Sequence, residues 1–183
     1  MDSVVVVRPE KPENTGFIAR LCANFDAHLK IVEPCFNLSE ARQTASRAQH
    51  KLNNAQIFSS LGDAIQDLEF VLGSKPGRGK PLSDVAATEN ASVVIGPESS
   101  GLSNTELGLC DGTTHIETAE YSSLNQSHAA AVLMSQLFKQ EGRSIDKGRR
   151  TKIKEKLGEK TAKLVLNSNP EPHEVDTVLE ENT

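Results

Sequence analysis

The sequence predicts an α/β layer architecture, on three observations. Short β-branched runs alternate with amphipathic stretches of helical spacing, the runs end in Gly, Pro or Asn turns, and no internal repeat or low-complexity tract interrupts the alternation. "SVVVV" at 3–7 reads as the first strand. After "RPEKPENTG" comes "FIARLCANFDAHL", apolar at helical spacing, with Asn14 or Thr15 placed to cap it. "LKIVEP" is a second strand stopped by Pro34, and "LSEARQTASRAQHKL" a continuous helix with Ser39 as its cap. "LGDAIQDL" predicts a short helix, and "EFVLGSKPGRGKPL" a strand opening into a basic, glycine-rich loop. "ASVVIGPESSG" repeats that strand-to-loop pattern. "THIET" predicts a further strand, and "SSLNQSHAAAVLMSQLFKQ" has the Ala, Leu and Met content of a packed helix.

A chain of 183 residues with 37% hydrophobic residues accommodates one ordinary domain and an extension. No apolar run approaches the roughly 20 residues that span a bilayer, and the start lacks the basic region and apolar core of a signal peptide, so a cytoplasmic protein without a membrane partner is expected. Cys22, Cys35 and Cys110 are scattered and include no C-x-x-C pair, which points to reduced, packed cysteines with no disulfide framework and no zinc site. The net charge of −5 hides an uneven distribution: residues 139–163 hold ten Lys and Arg against four acids, while residues 164–183 hold five acids and no Lys or Arg. Three segments follow: a folded domain over 1–141, a basic segment over 142–163 and an acidic, flexible tail over 164–183. The basic segment reads equally as a solvated helix of paired charges or as an RNA-facing surface.

Open α/β sheets place ligands outside the carboxyl ends of their strands. In "PENTGFIAR", Asn14, Gly16 and Arg20 stand at a strand-to-helix junction; alone, such an Arg is an ordinary surface residue, although a guanidinium pairs well with phosphate. "GSKPGRGK" invites a phosphate-loop reading and fails it. Five residues separate Gly73 from Gly79 where the motif has four, and Pro81 occupies the position of the magnesium-binding hydroxyl. It stays open as a ligand loop or an RNA loop. In "SVVIGPESSGLSNTEL", Gly96, Pro97 and Gly101 bend the backbone while Glu98 supplies an acceptor, and Ser103 with Glu106 forms a capping-box pattern. "EYSSLNQSHAAAV" places Ser122, Ser123 and Asn125 at the entrance of the longest apolar helix, where a Ser is an ordinary cap. His128 in that helix reads as a packing or surface residue.

Together the pieces are more specific than any of them alone. N-x-G-x-x-x-R at 14–20, G-x-E-x-x-G-L-S-x-x-E-L at 96–107 and S-L-N at 123–125 resemble the three motifs of the SpoU branch of the SPOUT superfamily, S-adenosyl-L-methionine-dependent RNA ribose 2′-O-methyltransferases. The resemblance covers residues 4 to 141 in order and spacing. "GPESSGLSNTEL" and "EYSSLN" are most similar to the tRNA methyltransferases that act on position 32 of the anticodon loop.

That resemblance implies a mostly parallel sheet with helices on both faces and a deep C-terminal trefoil knot, a feature general topology rules would not predict. It implies a homodimer whose active sites draw on both subunits, an RNA substrate with tRNA first, and no metal. It places catalysis on Arg20, Asn14, Glu98, Ser123 and Asn125, and the cofactor on Ser74, Gly96, Ile116, Ser123 and Leu124. "GSKPGRGK" departs from the T-S-A-R-type loop of bacterial relatives, so Lys75, Arg78 and Lys80 are also candidates for tRNA phosphates. An rRNA, another tRNA position, or an RNA-binding homologue without catalysis are the other readings.

Overall fold

The computed structural model describes residues 2–85, 90–138 and 147–158, together with 161 and 177. Two compact units divide the chain, Met1–Lys139 and Gln140–Thr183. The first is built on a seven-stranded sheet in which every pairing is parallel: β1 (Ser3–Val7), β2 (His28–Val32), β3 (Gln56–Phe58), β4 (Phe70–Ser74), β5 (Lys80–Pro81), β6 (Ala91–Ile95) and β7 (Gly112–His115). Their spatial order is β3-β2-β1-β6-β4-β7-β5.

Buried parallel strands read as near-continuous apolar runs because both faces are covered, and β1 and β6 are buried at every residue. Alternate side chains feed two cores. Val4, Val6, Leu29, Ile31, Val93 and Ile95 pack with Ile18, Cys22, Leu133 and Met134 on one face. Val5, Val7, Val32, Val71 and Val94 pack with Leu61, Ala64 and Leu102 on the other. The expected helices on both faces are therefore present.

The first helix, α1 (Pro12–Asn24), begins before the expected cap. Pro12 at its first turn has the fixed φ that a helix start favours, so Lys11 takes the cap position. This places Asn14 and Thr15 inside the helix, where both are buried, and frees Asn14 from capping.

The continuous helix expected over 38–52 is four short pieces: a 3-10 turn at Leu38–Ala41, α2 (Arg42–Ala45), a second 3-10 turn at Ser46–Ala48 and α3 (Gln49–Asn53). The capping box belongs to Asn37 and Glu40, not to Ser39, and Ser46 breaks the helix at φ 52°. Ala41, Ala45 and Ala48 are buried, and a Cβ on Gly16 would collide with Thr44 and the Ala41 carbonyl. Close approach of α1 to this segment thus requires that glycine, and the segment follows α1's contour instead of its own periodicity.

Downstream, Ser60 caps α4 (Leu61–Ile65), and Ser103 with Glu106 forms the expected capping box of the single turn α5 (Asn104–Leu107). The strand expected at "THIET" lies two residues earlier, as β7, and β3 had no strong sequence signal. Asn125 caps α6 (Gln126–Leu137), which packs on α1 and β6. Cys22 is buried and Cys110 half-buried, but Cys35 is exposed, so packing accounts for two of the three cysteines. No helix among the described residues is long and apolar enough to cross a membrane.

In the second unit, α7 (Lys147–Leu157) turns part of the basic segment into a helix. The acidic tail expected over 164–183, apart from Thr177, lies outside the described residues.

Candidate active site

Strands β1 and β6 lie side by side at the point where the sheet's winding reverses, with β2 and β3 on one side and β4, β7 and β5 on the other. Connections leaving two such strands diverge, which opens a crevice at their carboxyl ends. Into that crevice run the loops after β1, β6 and β4 and the loop before α6. Among them lies a cavity of about 240 Å³ whose lining includes Ser74, Gly96, Glu98, Ile116, Ser123 and Leu124.

One wall of the cavity is the turn after β6. A Cβ on Gly96 would collide with the backbone of Gly101 and Leu102, and Gly101 adopts φ 63°, so two glycines let the chain fold back on itself. Buried Gln126 closes the turn from α6 by donating to the Gly96 carbonyl at 2.8 Å, and its Oε1 has no partner among the described residues. The crowding of this stretch makes a tight, rigid rim.

Glu98 stands on that rim and accepts two hydrogen bonds from the segment after β1: from Asn14 Nδ2 at 2.7 Å and from Lys11 Nζ at 2.9 Å. Asn14 in turn accepts from Asn125 Nδ2 at 3.1 Å. Asn125 Oδ1 accepts from the backbone N–H and the hydroxyl of Ser127, and this pair of bonds caps α6. A single hydrogen-bonded run thus joins the segments that follow β1 and β6 to the start of α6. The Glu98 carboxylate holds the Lys11 ammonium above its ordinary value, by hydrogen bonding first and charge second.

Two more links bind the first loop to the rim. Glu10 accepts from both the backbone N–H and the hydroxyl of Ser99. Arg8, at φ 42°, reaches Glu106 Oε1 at 2.7 Å and Glu33 Oε2 at 3.7 Å. Burial pushes the Glu106 carboxyl up, but Arg8 and the Ser103 backbone N–H outweigh it and hold it at about 2.

The structure therefore brings Ser74, Gly96, Glu98, Ile116, Ser123 and Leu124 into one cavity and ties Asn14 and Asn125 to its rim. It does not bring Arg20 there. Arg20 is exposed in a separate shallow cleft with Phe17, Leu21, Asn24, Ser127, His128 and Ala131, between α1 and α6. Lys75 lines the cavity, but its ammonium donates to the Leu102 carbonyl, so it braces the rim; Arg78 and Lys80 remain exposed. Sequence reasoning missed Arg8, Glu10, Lys11 and Gln126. The charged run "RPEK" directly after a buried strand was the available signal for the first three; an amide directly following Asn125 was the signal for the fourth. Among the described residues no group of three or more His, Cys, Asp or Glu could hold a metal ion.

Residues 2–135 match the SpoU rRNA Methylase family model. This chain belongs to the SpoU rRNA methylase family. As a SpoU protein it is 34% identical over 161 residues to the tRNA (cytidine-2′-O-)-methyltransferase TrmJ of Methanocaldococcus jannaschii, an alignment covering 79% of this chain and 70% of that one. It is 30% identical to the tRNA (cytidine(34)-2′-O)-methyltransferase of Burkholderia cenocepacia, over 78% of this chain and 97% of that one. The SpoU fold is also that of the methyltransferase AviRb from Streptomyces viridochromogenes in complex with AdoMet: TM-score 0.65, 24% identity, 75% of this chain and 56% of that one.

Proposed function

We propose that this chain is an S-adenosyl-L-methionine-dependent RNA ribose 2′-O-methyltransferase that modifies the nucleotide at position 32 of the tRNA anticodon loop, in the cytoplasm. The observation that carries the reading is the run Asn125, Asn14, Glu98, which orients a carboxylate at the rim of the cavity. The lining fits the cofactor. Backbone groups around Ser74, Gly96, Ile116 and Leu124 suit its methionine, ribose and adenine parts, and Gln126 adds a buried acceptor lacking a partner among the described residues.

When bound, the sulfonium supplies an electrophilic methyl with a good leaving group, so the protein's task is alignment and charge stabilisation. Asn14 and Lys11 fix both oxygens of Glu98, which sets the edge against which the ribose rests. Ser123, exposed at the cavity mouth, is placed to donate to or accept from the ribose. Arg20 acts by orienting the developing alkoxide or an adjacent phosphate, because guanidinium groups keep their proton and make poor bases.

The same reading includes a homodimer and the trefoil knot. Exposed Phe17, which lines the cleft holding Arg20, and exposed Val132 on the adjoining helix α6 offer apolar surface that a second copy would cover. A partner seated there would receive Arg20 at its own cavity. For the knot, support comes from the strand order: the chain passes from β6 to β7 beyond β4, then returns to α1 and β6 as α6.

A second reading, methylation at position 34, is favoured by the relative named for cytidine 34, nearly all of whose length this chain matches. Tritiated-methyl transfer to unmodified tRNA transcripts, followed by nuclease digestion and mass spectrometry, separates them. A 2′-O-methylcytidine or uridine at position 32 supports the first reading, and one at 34 supports the second. Transfer only to rRNA keeps the chemistry and overturns the substrate; no transfer to any RNA overturns both.

A further inference from the structure

Tyr121 is the only tyrosine in a chain that has no tryptophan. It is 79% exposed, more than any other large hydrophobic residue among those described. It immediately precedes Ser122, Ser123 and Leu124, all of which line the cavity. No described residue lining that cavity is aromatic; its apolar contacts come from Pro76, Ile95, Pro97, Ile116, Leu124 and Ala129. A large ring held in water beside a ligand cavity gains little in the free protein, because it has surrendered only a small part of its apolar surface to packing.

The chemistry of the site supplies a use for such a ring. A ribose hydroxyl inside a folded RNA reaches an enclosed cavity only if its nucleotide leaves the base stack, and the exposed base must then find a new stacking partner. Aromatic side chains supply that surface without regard to base identity, since every base presents a π-face. The neighbourhood has the accompanying charges: Lys11 is exposed at Glu98, and exposed Arg78 and Lys80 follow the β4 loop whose residues Ser74 to Pro76 share the cavity with Ser122.

We propose that Tyr121 is a stacking platform for the unstacked nucleobase of the RNA substrate, at the mouth of the cavity. This subsite rests on the RNA methyltransferase reading above and adds to it how the substrate's base is held. It predicts tolerance of both pyrimidines, because a ring face does not read the hydrogen-bonding edge.

The absence of tryptophan makes the test direct, because the intrinsic tyrosine fluorescence of the full chain reports Tyr121 alone. Its lifetime, which is insensitive to absorption by nucleic acid, is measured while an anticodon stem-loop RNA is titrated in. Saturable quenching is expected, and it should be lost with an RNA that is abasic at the methylated position. In parallel, Tyr121→Phe should keep kcat/KM within about threefold, whereas Tyr121→Ala should raise the KM for RNA about tenfold or more with an unchanged Kd for S-adenosyl-L-methionine. An unchanged lifetime at saturating RNA, or an alanine variant with a KM within about twofold of the parent, overturns the platform. So does a ring already closed to iodide quenching without RNA, which would mean that a second copy covers it. If the parent protein transfers no methyl to RNA while binding the stem-loop with quenching, the methyltransferase reading fails and the base-binding subsite stands.

Discussion

Asn125 donates its side-chain amide to Asn14 at 3.1 Å across 111 positions of sequence, while its own carbonyl oxygen caps α6. One residue therefore starts a helix and orients the group that orients Glu98. The two roles separate in Asn125→Asp, because aspartate caps a helix as well as asparagine does but has no amide to donate. The variant should stay within about 1 kcal/mol of the parent in stability, with methyl transfer reduced roughly 10- to 100-fold. Thermal melting beside single-turnover transfer checks this; parallel loss of both would reduce Asn125 to a cap.

Gly96→Ala should be severe. The added methyl meets backbone at Gly101 and Leu102, not a side chain that can swing away. A cost on the order of 2–4 kcal/mol and loss of cofactor binding are expected, measured by denaturant unfolding and by calorimetric titration.

Arg8→Ala should change the response to acid. The Glu106 carboxyl is held at about 2, below the ordinary 4.5, so its contribution is complete above pH about 5 and is lost as pH falls toward 2. With Arg8 itself 37% exposed, screening limits the pair to roughly 1–2 kcal/mol at pH 7. The variant should be less stable at pH 7, and its stability should fall less between pH about 5 and about 2. Identical slopes in that window would remove Arg8 as the cause.

Arg20→Ala should abolish transfer while leaving cofactor affinity intact, since Arg20 lies outside the cavity of its own chain. If the guanidinium acts across a dimer, mixing inactive Arg20→Ala and Asn14→Ala chains should restore about a quarter of the parental activity, the share of intact sites in randomly paired two-fold dimers. A mixture as dead as its components would place Arg20 in its own subunit's chemistry.

Deleting residues 142–183 should weaken tRNA binding and flatten its dependence on salt, with cofactor affinity preserved. Residues of α7 include six Lys and Arg, and each phosphate neutralised contributes about 0.7–0.9 to the slope of log K against log salt. An unchanged slope would leave the helix with no part in RNA binding.

The sheet was largely legible in the sequence, because buried parallel strands announce themselves as β-branched runs such as "VVVV" in β1 and "VVI" in β6. The residues that line or border the cavity were legible as motifs, but their connections were not. Asn14 looked like a helix cap until Pro12 moved the helix start, and nothing local links it to Asn125. The break at Ser46 carries no local signal, because local propensity favours one helix while packing on Gly16 imposes several pieces. Arg20 stands in the motif at 14–20, yet a single chain leaves it outside the cavity, and sequence spacing carries no signal for which cavity a helix face will meet.

The long sequence separation within the polar run also bears on synthesis. A nascent chain on the ribosome can pair β1 with β2 early, but β1 lacks its other neighbour until β6 has emerged, and Asn14 lacks its partner until residue 125 has. A truncated translation product therefore carries Asn14, and even Glu98, without the hydrogen bond from Asn125 that completes their run. The polar run therefore closes late and in one step, after residue 125 has joined residues that were made more than a hundred positions earlier.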